Sequence, residues 1–231
     1  MHRTIDDPAP VVAQYPCEHL VIGCGVAIFH VASARVVLCY HSRDRYWFLP
    51  KGRRDAGEET TRAAEREGFE ESGYRNRLLP LPLPHRQPAP AHLLPAQPSS
   101  STASRPSSSS SPSLPSFVTE PLWTQLVPVS PRTQYLLFWY AAETLPPDVE
   151  ADMPPPSSAE PYLPPPVFPR EGSLSEEVER EGKEYEPRRW EGTGVDAEEA
   201  LYESELVPVG EAVRRLGEGG VMADVVERMA G

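Results

Sequence analysis

Cysteine, long apolar runs and surplus positive charge are all scarce in this 231-residue sequence. The three cysteines, Cys17, Cys24 and Cys39, cannot all pair with one another, and they form neither a CxxC spacing nor a dense framework. A disulfide scaffold is therefore not expected; the thiols read as packing residues in a reducing compartment, cytoplasmic or nuclear. No stretch approaches the ~20 apolar residues that cross a bilayer, and the start MHRTIDDPAP has no apolar run behind a basic head, so neither a membrane span nor a secretory leader is expected. Lys and Arg total 22 against 34 Asp and Glu, a formal net charge of -12, which repels polyanionic backbones and acidic membranes. General nucleic-acid binding is disfavoured. No repeat of fixed period is visible, which sets solenoids and propellers aside.

Proline, by contrast, is abundant, with 29 residues, and its distribution divides the chain. Between residues 84 and 116 the composition falls to Pro, Ser, Ala and Gln. Such a segment cannot offset its ordering entropy by burial, so a disordered insertion is expected. A second segment, 145–190, is first proline-rich and then acidic, and is expected to be flexible. The PPP and LPP runs favour polyproline II, which leaves protein contacts through these insertions open.

Around the insertions the sequence reads as one domain over residues 1–231. His19 to Val31 and Arg35 to Tyr40 are β-branched and apolar and suit a hairpin; Tyr46 to Leu49 forms a third strand that Pro50 ends. Leu78 to Leu83, Phe117 to Val129, Gln134 to Ala142 and Leu201 to Val209 give further strands, and Gly210 to Leu216 with Val221 to Met229 one or two closing helices. Thr60 to Ser72 lacks proline, follows acidic residues and precedes Gly73, so it is expected to be a helix capped by that glycine. Its apolar face is thin, resting on Ala63, Ala64 and Phe69.

That helix carries the chemistry. Glu67, Glu70 and Glu71 stand at i, i+3 and i+4, on one face and within reach of the same ion. Like charges so placed cost stability unless a cation sits among them. All-oxygen, anionic ligands select magnesium or manganese over zinc, and magnesium completes its octahedron with water and substrate phosphate. The three glutamates alone would equally suit a solvated acidic face paired with Arg62 and Arg66.

The wider spacing decides between these. Gly52, Glu58, Arg66, Glu67, Glu70, Glu71, Gly73 and Tyr74 follow the pattern Gly-x5-Glu-x7-Arg-Glu-U-x-Glu-Glu-x-Gly-U, with U apolar, over residues 52–74. This resembles the Nudix hydrolase family. One position departs: Gly68 stands where the first apolar U belongs, which removes a core contact and ~1 kcal/mol of helix propensity relative to Ala, unless another group packs tightly there. Trp47 to Gly52 (WFLPKG) looks like the strand-to-loop entry of members that hydrolyse dinucleotide polyphosphates and diphosphoinositol polyphosphates. Glu205 to Leu216 resembles the last strand and closing helix of the family.

What the resemblance implies is an α+β fold, an α/β/α sandwich around a mixed sheet interrupted by the two insertions, and a magnesium-dependent hydrolase of phosphoanhydride bonds. Glu67, Glu70 and Glu71 would hold the metal, with the backbone carbonyl of Gly52 contributing. Arg66 would orient a neighbouring glutamate and Glu58 assist by ion pairing. The general base is Glu70 or Glu71, or an acid outside the box, for which Glu120, Glu143 and Glu203 are candidates. From Arg35 to Arg77 basic residues outnumber acidic ones in an otherwise acidic chain. Lys51, Arg53 and Arg54 beside the helix suit a polyphosphorylated small molecule, with Arg43, Arg45, Arg75 and Arg77 extending the patch; the alternative is that these arginines neutralise the glutamates. Tyr46, Trp47, Trp123, Tyr135 and Trp139 are candidates for base stacking, although strand aromatics more often pack a core. A catalytically weak module on the same fold that binds a phosphorylated metabolite or a protein partner is the rival reading, motivated by Gly68 and by the long flexible insertions.

Overall fold

The computed structural model describes residues 10–82, 85–87, 117–157, 162–169 and 173–230. The expected insertion at 84–116, apart from residues 85–87, lies outside the described residues. Among the described residues no helix is long and apolar enough to cross a membrane.

The longest early strand, β1 (Leu20–His30), organises the sheet. It runs parallel to β7 (Thr133–Thr144), in register from Leu20 opposite Gln134 to Phe29 opposite Glu143. On its other edge β1 changes partner. Its last residues form the expected hairpin with β2 (Arg35–His41), while Gly23, Cys24 and Gly25 pair with a short strand β4 (Lys51–Arg53). The sequence reading has 51–53 as loop; three residues rich in charge carry no strand periodicity, yet they complete the ladder that β2 vacates. β3 (Tyr46–Phe48) and β8 (Tyr202–Pro208) flank β2, and β5 (Asn76–Leu78) and β6 (Trp123–Ser130) flank β7. All pairs except β1 with β7 are antiparallel, so the sheet is mixed.

Alternation along β1 sends side chains to two different cores. Cys24, Val26 and Ile28 meet Ala63 and Ala64 of helix α1 (Thr60–Ser72) on one face. Ala27 and Phe29 point the other way, into a cluster with Ala212 and Val213 of α4 (Val209–Leu216) and Ala223, Val225 and Val226 of α5 (Val221–Ala230). The result is the expected α+β fold, helices on both faces of a mixed sheet. Small side chains at 63 and 64 let α1 lie close to the sheet, and polar bonds complete its seat: Leu78 N–H donates to Glu65 Oε1 (3.1 Å), and Asn76 Nδ2 donates to the Glu65 carbonyl (3.0 Å). Gly73 ends the helix at φ 77°, its N–H bonded to the Phe69 carbonyl at 2.8 Å; only glycine adopts this turn without strain.

Where a flexible segment is expected at 145–190, the described residues include α2 (Pro147–Asp152) and α3 (Leu174–Glu181). α3 opens with a capping box, Ser173 and Glu176 each accepting from the backbone N–H of the other. It is held by charge rather than by an apolar stripe. Glu177 bonds Arg77, which also pairs with Glu143 at 2.6 Å, and Glu181 accepts from Thr144 (2.6 Å) and from Ala32 N–H (2.8 Å). Arg77 is therefore sunk in the fold, not displayed in a basic patch, and Arg75 likewise pairs with Glu150 at 3.1 Å. Removing one partner leaves buried carboxylates uncompensated. Arg77→Ala is expected to cost about 3–5 kcal/mol, read from urea unfolding midpoints; a loss below about 1 kcal/mol would show that α3 docks without it.

Candidate active site

The box begins on β4 and ends at the glycine cap of α1, so the sheet and the helix fix its two halves separately. Arg66 joins them. Its guanidinium donates to both oxygens of Glu58 (2.9 and 2.9 Å), to Glu67 Oε1 (2.9 Å), to Glu70 Oε2 (2.7 Å) and to the carbonyl of Arg53 (2.9 Å). A planar fork with five N–H donors is suited to such multiple engagement. Burial works against the charge of Glu58, but the Arg66 bonds and the Asp55 N–H outweigh it and lower its pKa. Burial also opposes the charge on Arg66 itself, and Glu58, Glu67 and Glu70 together hold it cationic.

Glu67 and Glu71 are almost enclosed, at 5% and 8% exposure. Glu71 accepts from the Lys51 backbone N–H at 2.6 Å, which ties the helix to β4. Burial pushes Glu67 up to about 7, against the pull of Arg66 and with repulsion from Glu70 and Glu199. Burial pushes Glu71 up to about 8, offset in part by Lys51 and reinforced by Glu67 and Glu199. Glu70 is raised too, burial outweighing Arg66.

Glu199 stands outside the box, on the short 3-10 turn Glu199–Leu201 that precedes β8. One oxygen from each of Glu67, Glu71 and Glu199 lies within 4.8 Å of the other two. Three hard anionic oxygens at that separation can hold a divalent cation and leave positions for water and phosphate. The sequence reading missed Glu199. It sits in the acidic run DAEEA, where nothing distinguishes it from its neighbours. The acids considered instead are placed elsewhere: Glu143 pairs with Arg77, Glu120 lines a groove beside Arg62 and Glu65, and Glu203 is exposed on β8. Glu70 turns to Arg66 and contributes no oxygen to this cluster of three.

Two glycines answer to close approach. A Cβ on Gly52 would collide with the Glu67 carboxylate, so the box glycine makes room for a ligand. A Cβ on Gly68 would meet Asn76 Nδ2 at 2.7 Å and Val26 Cγ1 at 2.8 Å. The departure at 68 is thus compensated by side chains of β5 and β1 that fill the space an apolar residue would take. Around the rim, Arg53 is exposed, Lys51 lies 5.9 Å over the Phe48 ring, and Arg54 donates to the Glu58 carbonyl at 2.6 Å. Arg43 is engaged by Asp44 and Glu198. Of the aromatics, Trp139 is core and bonded to Gln125, Trp123 packs against the same cluster, and Trp47 packs against Tyr40 and beneath Arg215. Tyr46, exposed, stacks on His41, and half-buried Tyr135 lies close enough to Glu67 that burial and that charge raise its phenol to about 12.

Residues 22–100 match the family model described as the NUDIX domain. No curated protein matches the chain. Among solved structures it is similar to a NUDIX hydrolase from Nitrosomonas europaea, at 11% identity over 91% of this chain and 88% of that one, TM-score 0.42. It is similar to the Ap4A hydrolase of C. elegans at 11% identity, over 91% and 96%, TM-score 0.43. A hydrolase of the NUDIX family from Clostridium perfringens matches at 14% identity, over 90% and 97%, TM-score 0.41. The resemblance carried by the box is borne out over the matched residues.

Two outcomes follow from this geometry. Gly68→Leu, which restores the apolar residue of the family pattern, is expected to destabilise the protein by about 1–3 kcal/mol through overpacking; a rise in the urea midpoint would contradict the close contacts with Asn76 and Val26. The raised carboxyls give the second. Glu67 and Glu71 are protonated in the cation-free fold at pH values where the unfolded chain is ionised, so their contribution is full below about pH 4.5 and is lost as pH rises through about 7 and 8. The melting temperature of the metal-stripped protein should therefore fall over that window, and added Mg2+ should flatten the fall. Curves that superimpose with and without cation would show that nothing binds there.

Proposed function

We propose that this chain, which carries the Nudix box inside a matched NUDIX domain, is a hydrolase of phosphoanhydride bonds that uses Mg2+ or Mn2+. The observation that carries the reading is the convergence of Glu67, Glu71 and Glu199 beside a helix already anchored by Arg66. Three carboxylates brought together at this cost in repulsion and desolvation are accounted for by a cation that balances them.

When bound, the divalent ion supplies charge neutralisation on the phosphate oxygens and lowers the pKa of a water. The chain does the rest. The backbone N–H of Lys51 fixes one oxygen of Glu71, and the absence of a Cβ at Gly52 lets Glu67 reach the cluster; the Gly52 carbonyl would be a further ligand, as the resemblance implies. Glu70, oriented by Arg66, takes the proton of the attacking water; the cleft of about 600 Å³ that it borders with Phe69 and Tyr162 lies beside the cluster and is not lined by Glu67, Glu71 or Glu199. Glu58 keeps Arg66 in place.

Lys51, Arg53 and Arg54 are the groups for the substrate's remaining phosphates, which favours a diphosphoinositol polyphosphate or a dinucleotide polyphosphate over a less charged molecule. With Arg75 and Arg77 committed to buried ion pairs, the basic rim is narrower than composition suggests. The rival reading, an idle binding module, drew on Gly68 and on the long flexible insertions; the packing of Asn76 and Val26 at Gly68 bears on the first of these alone.

The test is product formation, resolved by anion-exchange chromatography, by purified protein with Mg2+ and with Mn2+ across diphosphoinositol polyphosphates, dinucleotide polyphosphates, capped RNA and nucleotide sugars. Turnover is expected with the first two classes, and Glu70→Gln and Glu71→Gln should each lower kcat by at least about 100-fold. No turnover across the panel, or full activity in both variants, would refute the assignment.

A further inference from the structure

Glu199 comes to the cluster from a loop, and a loop does not hold a ligand by itself. The turn that carries it is built around Asp196, whose Oδ1 accepts the backbone N–H groups of Glu198 (2.8 Å) and Glu199 (2.9 Å). Glu199 Oε2 in turn accepts from Val195 N–H at 2.6 Å. These bonds shape the turn, and Thr193, three residues before it, donates its hydroxyl to the Glu70 carbonyl of α1 at 2.9 Å. A second attachment is made at the residue before Glu199.

Glu198 reaches back to the β2–β3 connection. Its Oε1 lies 2.9 Å from His41 Nε2 and 2.8 Å from Arg43 Nη2, and its Oε2 lies 3.0 Å from the same Arg43 nitrogen. Ser42 adds two bonds to the Leu201 carbonyl, from its N–H (3.3 Å) and its hydroxyl (2.8 Å). The orientation of His41 is fixed from below. The ring is fully buried, and its Nδ1 accepts the Asp44 backbone N–H at 3.0 Å, so the hydrogen of the imidazole sits on Nε2, aimed at Glu198. The same assignment disposes of another use for this trio. His41, Asp44 and Glu198 lie close enough to suggest a metal site, but an imidazole whose Nδ1 lone pair is engaged and whose Nε2 carries hydrogen has none to give a cation.

We propose that His41 and Arg43, acting through Glu198, are positioning residues: they clamp the turn 196–201 to the β2–β3 connection so that Glu199 is presented to Glu67 and Glu71. The inference rests on the reading of those three glutamates as the cation site. Groups that orient a metal ligand commonly govern affinity by about 10- to 100-fold without touching the ion; here the orientation passes through the backbone of the turn, since the Glu199 carboxylate itself accepts from Val195.

Mn2+ alone is the probe, with its affinity for the full chain measured by calorimetry in the wild type, Glu198→Ala, Glu198→Gln and Glu199→Gln. Glu198 is half exposed, so its replacement leaves the core intact, and equal melting temperatures in the absence of cation check this. Glu198→Ala should weaken Mn2+ binding by about 10- to 100-fold. Glu198→Gln keeps a carbonyl oxygen to accept from His41 and Arg43 and should bind close to the wild-type value, a rescue that a bulk charge effect would not give. Adding His41→Asn to Glu198→Ala should cost little more, since both break one link. Wild-type affinity in Glu198→Ala alongside a weakened Glu199→Gln would overturn the clamp while leaving the cation site standing. Wild-type affinity in Glu199→Gln would instead overturn the site on which the clamp depends.

Discussion

Arg66 binds two neighbouring glutamates on its own helix, a third glutamate eight residues earlier and the carbonyl of Arg53 on the strand before it. That single guanidinium converts a run of like charges, which would otherwise unwind or splay the helix, into a fixed array. Everything in the candidate site is referred to it: the direction of Glu70, the reach of Glu67 towards Gly52, and the seating of β4 against the helix. Burial, outweighing Arg66 and Lys51, raises the pKa values of Glu67, Glu70 and Glu71 above the usual carboxylate range, and a divalent ion among them would favour their charged forms.

A second constraint acts at the opposite end of the sheet. There Glu143, Glu177 and Glu181 are buried around Arg77 and Thr144, fastening α3 to β5 and β7. The two ends use the same chemistry for different purposes. At the box, carboxylates outnumber their cations, and Glu70 borders a cleft; at α3 Glu143, Glu177 and Glu181 are enclosed and none of them lines the groove that Leu78, Phe168 and Leu174 border. Burial and partner geometry, rather than residue type, separate a candidate ligand from a structural strut.

The sequence made much of this legible, and for reasons that can be named. Apolar, β-branched runs located β1, β2, β7 and β8, and apolar residues the closing helices, because their side chains fill the two cores. The box was legible because its glutamates are spaced by one helix, and Gly52 and Glu58 stand on the short stretch that leads into it. Long-range facts were not. That Arg75 and Arg77 turn inward depends on α2 and α3, whose buried contacts are charged and so leave no apolar pattern to read; only the Ser173 to Glu176 capping box announced α3, and composition masked it. Glu199 was invisible because its role is conferred by His41, Arg43 and Asp196, which position it but lie in unremarkable turns. Gly68 looked like a defect from the sequence and is a close-packed contact in the fold.

The central claim is that a divalent cation belongs among Glu67, Glu71 and Glu199. Crystals soaked in Mn2+ and measured at the manganese absorption edge test it most directly. The account predicts an anomalous peak within coordinating distance of carboxylate oxygens from all three residues. A peak that omits Glu199, one that falls at His41, Asp44 and Glu198, or no peak at saturating Mn2+ would contradict it.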